Sequence, residues 1–518
     1  MDSLTTMDQR SRTKFRDPRW LQLLLGGSAL FSVMMLFSLW TKLPSHEALR
    51  RPASPIPTTP AQLATQPKAD LFTLVQKRRN ATVTAKPKVL HIDDLTLSES
   101  YQHWAPVIQS ECVHGMDGRA APCIKEANKT NLVEAQELLY PAFRLKLPSF
   151  TNGPMQSKWL SGGLHVARMR VSEDQQWAEY PTFQGQNMVF SNAVYRGDPP
   201  PDIWSDKGCM GHDVSHASFM EKMNSSELEN EMQVDTLVVA TSPDSWSFQH
   251  FIDRVAVVWS QAQLVIPTTE KNGTVIVTGR EPRDSIVNEI YDVMVGQHLH
   301  EPKLVAAKRL VFSCRAPLIH PFTTQRITEN ILRELPPPKS SSRPDRDIIL
   351  FLSRSRGGQA VNGGRRILNE PELFDAISAR LNATGRPEKL MYFKHDEFNG
   401  LEDVATFMRD RVKMMIGPHG AAFYNARFAE PRTALIEIVP DPSQFFVPCF
   451  WEQARLLGQD YSAHVGNTQN GQNDMIVDEV QDVVELVLKR LEYLDNSYRM
   501  EDSLGHTYAW DVEAVSVK

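Results

Sequence analysis

MMIGPHGAAFYNARFAEPRTALIEIVP, residues 414–440, joins two apolar runs through a Gly-Pro-His-Gly turn. Met414, Met415 and Ile416 run into Gly417-Pro418-His419-Gly420. A short helical stretch (421–429) follows, and then ALIEIV (434–439) with Glu437 inside it. Short continuous apolar strands separated by helices belong to βαβ units and parallel sheets. A histidine between a proline and a glycine is held on a tight turn, not packed in a core. In open α/β sheets, ligands bind beyond the carboxyl ends of strands, where a helix start offers N–H groups to an anion such as a phosphate. Gly417, His419 and Gly420 are therefore candidate diphosphate contacts. Glu437, near the end of the next strand, is the candidate acceptor for ribose hydroxyls. A carboxylate among apolar neighbours is costly unless paired or bound, so a structural salt bridge is the competing reading for Glu437.

The same alternation extends in both directions. Downstream of residue 347 the expected order is strand 348–353, helix 371–381, strand 389–393, helix 401–412 and strand 414–417. Upstream it is strand 235–240, helix 251–263, strand 274–279, helix 284–295 and strand 309–314. Between the two blocks lies LPPPKSSSRP (335–344), whose prolines and serines read as a linker. The apolar residues at 476, 477, 480, 483, 484, 487, 488 and 491 keep helical spacing, as in a helix packed back across the body. The fold class expected is α/β, with two domains and a cleft between them.

The 518 residues carry a formal net charge of −6 and no long charged run, which gives no electrostatic case for nucleic acid. Trp20 to Trp40 is uncharged over 21 residues, long enough as a helix to cross a hydrocarbon core of about 30 Å. Arg10, Arg12, Lys14, Arg16 and Arg19 precede it and mainly Lys42 follows. That bias places the N-terminus in the cytoplasm and the rest in the lumen, as a type II signal anchor. The stretch 50–71 holds five prolines among Thr, Ser and Ala and reads as a stem. The expected organisation is a cytoplasmic tail (1–19), an anchor (20–40), a stem (41–90), an N-terminal α/β domain (91–334) and a linker (335–347). A C-terminal nucleotide-sugar domain (348–470) and a closing helix with tail (471–518) complete it. Sequons at Asn80, Asn128, Asn224, Asn272 and Asn382 all follow the anchor and agree with a lumenal body. The five cysteines lack zinc-site spacing; Cys112 and Cys123 are close enough to close a small loop as a disulfide.

Two further clusters carry chemistry. In FLSRSRGGQAVNGGRRILNEPEL (351–373), Arg354, Arg356, Arg365 and Arg366 flank two Gly pairs, and arginine forks suit phosphate oxygens. A solvated basic loop is the plainer alternative. In SWSFQHFIDRV (245–255), His250 and Asp253 are three residues apart and share one face of a helix start, as cleft-lining groups or as a cap. No HExxH, CxxC, GxSxG or P-loop motif occurs. The one Asp-x-Asp, Asp345-Arg346-Asp347, precedes its strand and reads as loop, so no metal site is expected.

Taken together, IGPHGAAFYNARFAEPRTALIEIVP, LSRSRGGQAVNGGRRILNEPEL, SFQHFIDRV and the later FWEQARLLGQDY (450–461) resemble glycosyltransferase family 61. That group includes plant N-glycan β1,2-xylosyltransferases, EGF-domain O-linked GlcNAc transferases and protein O-mannose β1,4-GlcNAc transferases. The likeness covers roughly 234–462; Phe423-Tyr424-Asn425 stands where the family carries a Leu-Thr-Asn run. The resemblance implies a GT-B-like architecture, two Rossmann-like domains facing a cleft, and an inverting transfer from a UDP-sugar, GlcNAc or xylose, to a glycan or glycoprotein acceptor in the Golgi. It implies that Arg354, Arg365 or Arg366, His419, Gly420 and Glu437 hold the nucleotide, without a cofactor or a divalent metal. Asp253 is then the candidate base, with Glu402 and Asp396 open as alternatives, and His250 and His419 complete the catalytic set. A non-catalytic lumenal glycan-binding protein on the same fold is the competing function.

Overall fold

Among the described residues, thirteen runs become the strands of the two largest sheets, and the strands at 143–146, 170–171 and 177–180 pair in a smaller one. The computed structural model describes residues 104–113, 132–166, 170–196, 232–241, 246–266, 273–300, 304–336, 346–355, 363–499 and 502–506. In chain order the strands are β1 (Val107–Val113), β2 (Leu132–Tyr140), β3 (Phe143–Lys146), β4 (Ser149–Phe150), β5 (Arg170–Val171), β6 (Trp177–Tyr180), β7 (Phe183–Arg196) and β8 (Met232–Val239). They continue with β9 (Thr274–Thr278), β10 (Gln297–His300), β11 (Leu304–Cys314), β12 (Ile348–Phe351), β13 (Lys389–Tyr392), β14 (Val412–Pro418), β15 (Ala434–Val439) and β16 (Asp460–Val465).

The first sheet runs β1-β2-β7-β11-β8-β9-β10. Its β11, β8, β9 and β10 are parallel, as the upstream alternation implies. Its other half, β1, β2 and β7, is antiparallel, and β7 also pairs antiparallel with β11. The sequence reading had only parallel sheets there. β2 (LVEAQELLY) buries mainly alternate residues along its length, the mark of a strand with one covered face, and a scan for continuous apolar runs passes over it.

The second sheet runs β13-β12-β14-β15-β16-β4 and is parallel throughout. Its two faces are sorted by strand alternation. Ile349, Phe351, Met414, Ile416, Ile436 and Ile438 pack beneath two helices, Glu370–Ala383 and Val480–Asn496. Leu350, Leu352, Met415, Leu435 and Val439 join a core that continues into the first sheet. That continuity is covalently entangled as well. β4, from the segment expected to lie wholly in the N-terminal domain, is the edge strand of the second sheet. The C-terminal strand Leu504–His506 pairs with β3.

The helix Cys449–Leu456 lies over this junction, and its Glu452 is 4% exposed. The Tyr180 hydroxyl donates to Glu452 Oε1 at 2.6 Å. Burial pushes the Glu452 carboxyl up to about 7, against the pull of that hydrogen bond. A carboxyl raised on folding binds its proton in the native chain while the unfolded chain has released it. Its contribution to stability therefore falls as pH rises from about 4.5 to 7. Buried His320 and His464, lowered by burial to about 3 and about 4, act with the opposite sign below pH 6.5. The informative quantity is therefore the difference between Glu452→Gln and the wild type. We expect Glu452→Gln to gain roughly 2–3 kcal/mol relative to wild type between pH 5 and pH 8. Urea titrations at the two pH values read this; parallel pH curves would show that Glu452 does not titrate as stated.

Candidate functional site

The Gly-Pro-His-Gly turn leaves β14 where β12 passes closest. A Cβ at Gly417 would lie 2.3 Å from the Leu352 carbonyl oxygen, so only glycine fits beside that backbone. The chain then enters a 3₁₀ helix, Ala421–Phe428, where the sequence reading expected an ordinary helical turn.

His419 is 4% exposed and turned toward β15. Its Nδ1 lies 2.5 Å from Glu437 Oε1, and the second Glu437 oxygen accepts from the Tyr461 hydroxyl on β16. With Nδ1 donating to this carboxylate, Nε2 is the ring nitrogen left for another partner. Both Glu437 oxygens are thus engaged within the protein, and the residue is 1% exposed. Glu437 shares a strand face with Leu435 and Val439, which the protein covers, and it orients His419 while also lining the recess beside it. The pairing that competed in the sequence reading is the geometry observed, with histidine and tyrosine as partners. Next to His419 is a recess lined by Trp159, Phe445, Phe446, Pro448 and Tyr461.

The arginines divide sharply. Arg354, just after β12, donates Nε–H to the Gly364 carbonyl at 2.7 Å. Its Nη1 lies over the turn, 2.9 Å from where a Cβ on Gly420 would sit. Burial, then repulsion from Arg365, lowers the Arg354 guanidinium to about 10. Arg365 has φ +58°, a left-handed conformation rare outside glycine and asparagine, and follows Gly364 at φ +87°. That turn sets the Arg365 guanidinium 5.1 Å from the Phe445 ring centroid, and Phe445 in turn is 5.0 Å from the His419 ring. Burial lowers the Arg365 guanidinium while Glu437 supports its charge. Arg366, the other sequence candidate, points away. It forms an ion pair with Asp474 at 2.6 Å and holds that fully buried carboxyl at about 2. Arg365 and Arg366 are neighbours in sequence and serve different ends; Arg356 lies outside the described residues.

From the first sheet, His250 closes a short helix (Phe248–His250) and Asp253 sits in the π-helical turn Phe251–Val255 that follows. His250 Nδ1 is 3.5 Å from Asp253 Oδ1, and the Tyr424 hydroxyl, from the 3₁₀ helix, donates to Asp253 Oδ2 at 3.1 Å. The Phe450 ring is 4.7 Å from the His419 ring and 5.2 Å from that of Tyr424. The sequence clusters at 250–253, 354–365 and 419–437 therefore meet around one aromatic centre. Glu402 and Asp396, the alternative bases, are both exposed, in a helix (Leu401–Arg411) and a short turn (His395–Glu397).

Residues 248–436 match the sequence model of the family described as Glycosyltransferase 61. Over that stretch, somewhat more than a third of its length, the chain is similar to glycosyltransferase family 61. No curated protein matches it. The family 61 segment begins at Phe248, next to His250, and ends at Ile436, one residue before Glu437. It therefore takes in His250, Asp253, Arg354, Arg365 and His419. Phe445, Phe450 and Tyr461 lie beyond it; the sequence reading held Phe450 and Tyr461 only as the ends of FWEQARLLGQDY and passed over Phe445. Their visible signal is FFVPCFW (445–451), aromatic residues too densely placed for a solvated loop.

Among the described residues, no three His, Cys, Asp or Glu side chains converge as metal ligands. Asp347 of the lone Asp-x-Asp pairs with Arg411 at 2.7 Å. Asn382 is exposed near the end of its helix. Asn80, Asn128, Asn224, Asn272, Cys123 and the whole anchor and stem (20–90) lie outside the described residues. So does the Cys112–Cys123 pairing. No helix among the described residues is long and apolar enough to cross a membrane.

Proposed function

We propose that this chain is an inverting glycosyltransferase of family 61 that moves a sugar, GlcNAc or xylose, from UDP to a glycan or glycoprotein acceptor. One observation carries this reading. Arg354 and Arg365 are half-buried and repel each other, Arg354 reaching over Gly420 and Arg365 lying on the Phe445 ring that faces His419, and among the described residues no carboxylate lies within ion-pair distance of Arg365. Two like charges held in a partly desolvated site favour an added anion between them, beyond the support that Asp474 gives Arg354 and Glu437 gives Arg365. A diphosphate supplies that anion, and guanidinium forks match its oxygens. The same cations stabilise the charge that grows on the departing UDP. The rings of Trp159, Phe445, Phe446 and Tyr461 beside His419 supply an apolar surface for a flat base, and His419 adds a polar contact.

The two parallel sheet regions supply the two sides of a GT-B-like cleft, with the second holding the nucleotide. The uncharged Trp20–Trp40 segment, its basic flank and the later sequons support a type II anchor with the catalytic body in the Golgi lumen. Since cationic side chains alone neutralise the diphosphate, binding needs no divalent metal. Calorimetry with full-length protein in detergent should show UDP binding in EDTA, unchanged on adding Mn²⁺. A panel of UDP-sugars should release UDP, with UDP-GlcNAc and UDP-xylose the first substrates to test. Loss of binding in EDTA overturns the metal-free reading, and no UDP binding under either condition overturns the transferase.

A further inference from the structure

We infer that His250 is the group that takes the acceptor proton, and that Asp253 and Tyr424 position it. The inference rests on the UDP-sugar transfer proposed above and assigns the step that the arginines and His419 leave open. Those cations serve the leaving group; deprotonating the acceptor requires a base on the other side of the sugar.

Asp253 is poorly placed to be that base. Its side chain is 15% exposed, one oxygen already accepts from Tyr424, and the other is buried and faces His250. His250 is 31% exposed and stands between Asp253 and solvent. His250 Nδ1 and Asp253 Oδ1 are both buried and 3.5 Å apart, so a proton held on Nδ1 toward the carboxylate leaves Nε2 as the basic nitrogen. The 3.5 Å separation is long for a hydrogen bond, and such contacts shorten when a ligand fills the site. The backbone agrees. Asp253 lies within a π-helical turn, a local irregularity that recurs at functional sites, because it re-aims side chains that a regular helix would place elsewhere.

Tyr424 gives the device its second part. It belongs to the 3₁₀ helix that starts at the nucleotide turn, yet it bonds to Asp253 from the other sheet region. His419 and Tyr424 flank the single ring of Phe450. Leaving-group contacts and base are thereby held on two sides of one rigid centre, as an in-line displacement requires. In the step itself, His250 Nε2 takes the proton of the acceptor hydroxyl, and that oxygen forms a bond to the sugar C1. The bond from C1 to the β-phosphate oxygen breaks, its electron pair leaves on UDP, and His250 later gives its proton to solvent. Configuration at C1 inverts.

The test is the hydrolytic release of UDP from UDP-GlcNAc and UDP-xylose, in which water replaces the acceptor, by full-length protein between pH 5 and 9. His250→Gln should bind UDP within about twofold of wild type and melt at the same temperature. It should lose turnover by about 10²- to 10⁴-fold and lose the acidic limb of the pH profile. Added imidazole should restore part of the rate of His250→Ala. Tyr424→Phe should lower turnover only severalfold and shift that limb, because the charged groups around His250 are Asp253, Arg254 and Arg427, while burial keeps the nearby Cys449 thiol protonated. Wild-type turnover in His250→Gln, with Asp253→Asn inactive, overturns the assignment and makes Asp253 the base. Equal losses of melting temperature and UDP affinity in His250→Gln overturn it in favour of a structural role. A wild type that binds no UDP fails at the earlier step and removes this assignment with it.

Discussion

Arg455→Ala is expected to lose about 3–5 kcal/mol of stability, the largest loss of any single side chain considered in this fold. Arg455 is 3% exposed and lies in the helix Cys449–Leu456. Its guanidinium donates to the carbonyls of Lys146, Leu147, Gln459 and Tyr461, at 3.0 to 3.2 Å, and pairs with Asp460 at 3.4 Å. Residues 146–147 carry the chain from β3 to β4, so this one side chain fastens the N-terminal segment to the edge of the second sheet. Alanine leaves four buried carbonyls without that donor and Asp460 with Arg490 alone, at 2.7 Å. Lysine keeps the charge but offers three donors from a point instead of a planar fork, so Arg455→Lys should still lose about half as much. Urea unfolding followed by circular dichroism measures both. A loss under 1 kcal/mol for alanine would mean that water replaces the guanidinium, and that the segment is held by packing of Trp451 and its neighbours instead.

The second large effect separates two adjacent arginines. Arg365→Ala should weaken UDP binding by roughly 10- to 100-fold, since a hydrogen bond to a charged group contributes about 1.5–3 kcal/mol. The unliganded protein should not be destabilised, because the change removes a half-buried charge that Arg354 repels. Arg365→Gly should even gain about 1 kcal/mol, as glycine adopts φ +58° without steric cost. Arg366→Ala should do the reverse. It strips the guanidinium from Asp474, a carboxylate with no exposed surface, and should lower the melting temperature while leaving UDP affinity within threefold. Calorimetry with UDP and thermal melts on the same preparations give all four numbers. If Arg366→Ala abolishes UDP binding and Arg365→Ala does not, the diphosphate lies on the Asp474 side of the loop and the proposed site is misplaced.

How far the chain could be read before folding depended on the range of the forces involved. In the second sheet, strand 434–439 and helices near 371–381 and 401–412 were legible because their apolar residues are continuous or helically spaced, and both patterns are local. β2 and β7 were not, since a strand covered on one face alternates, and alternation over β2 is broken by Glu134, Gln136 and Glu137. The turn 417–420 was legible as a site because Gly and Pro mark backbone conformation directly. By itself, then, the sequence determined the α/β class, the position of the His419 turn and the three clusters from which a site is built. Only the tertiary structure decided their roles. It set Glu437 behind His419 because β16 brings Tyr461 to its second oxygen. It pinned Arg366 because Asp474 arrives from 108 residues away. It placed His250 outside Asp253 because Tyr424 reaches across from the other sheet. Each is a contact between groups far apart in the chain, and a side chain's electrostatic role depends on the partner that folding brings to it.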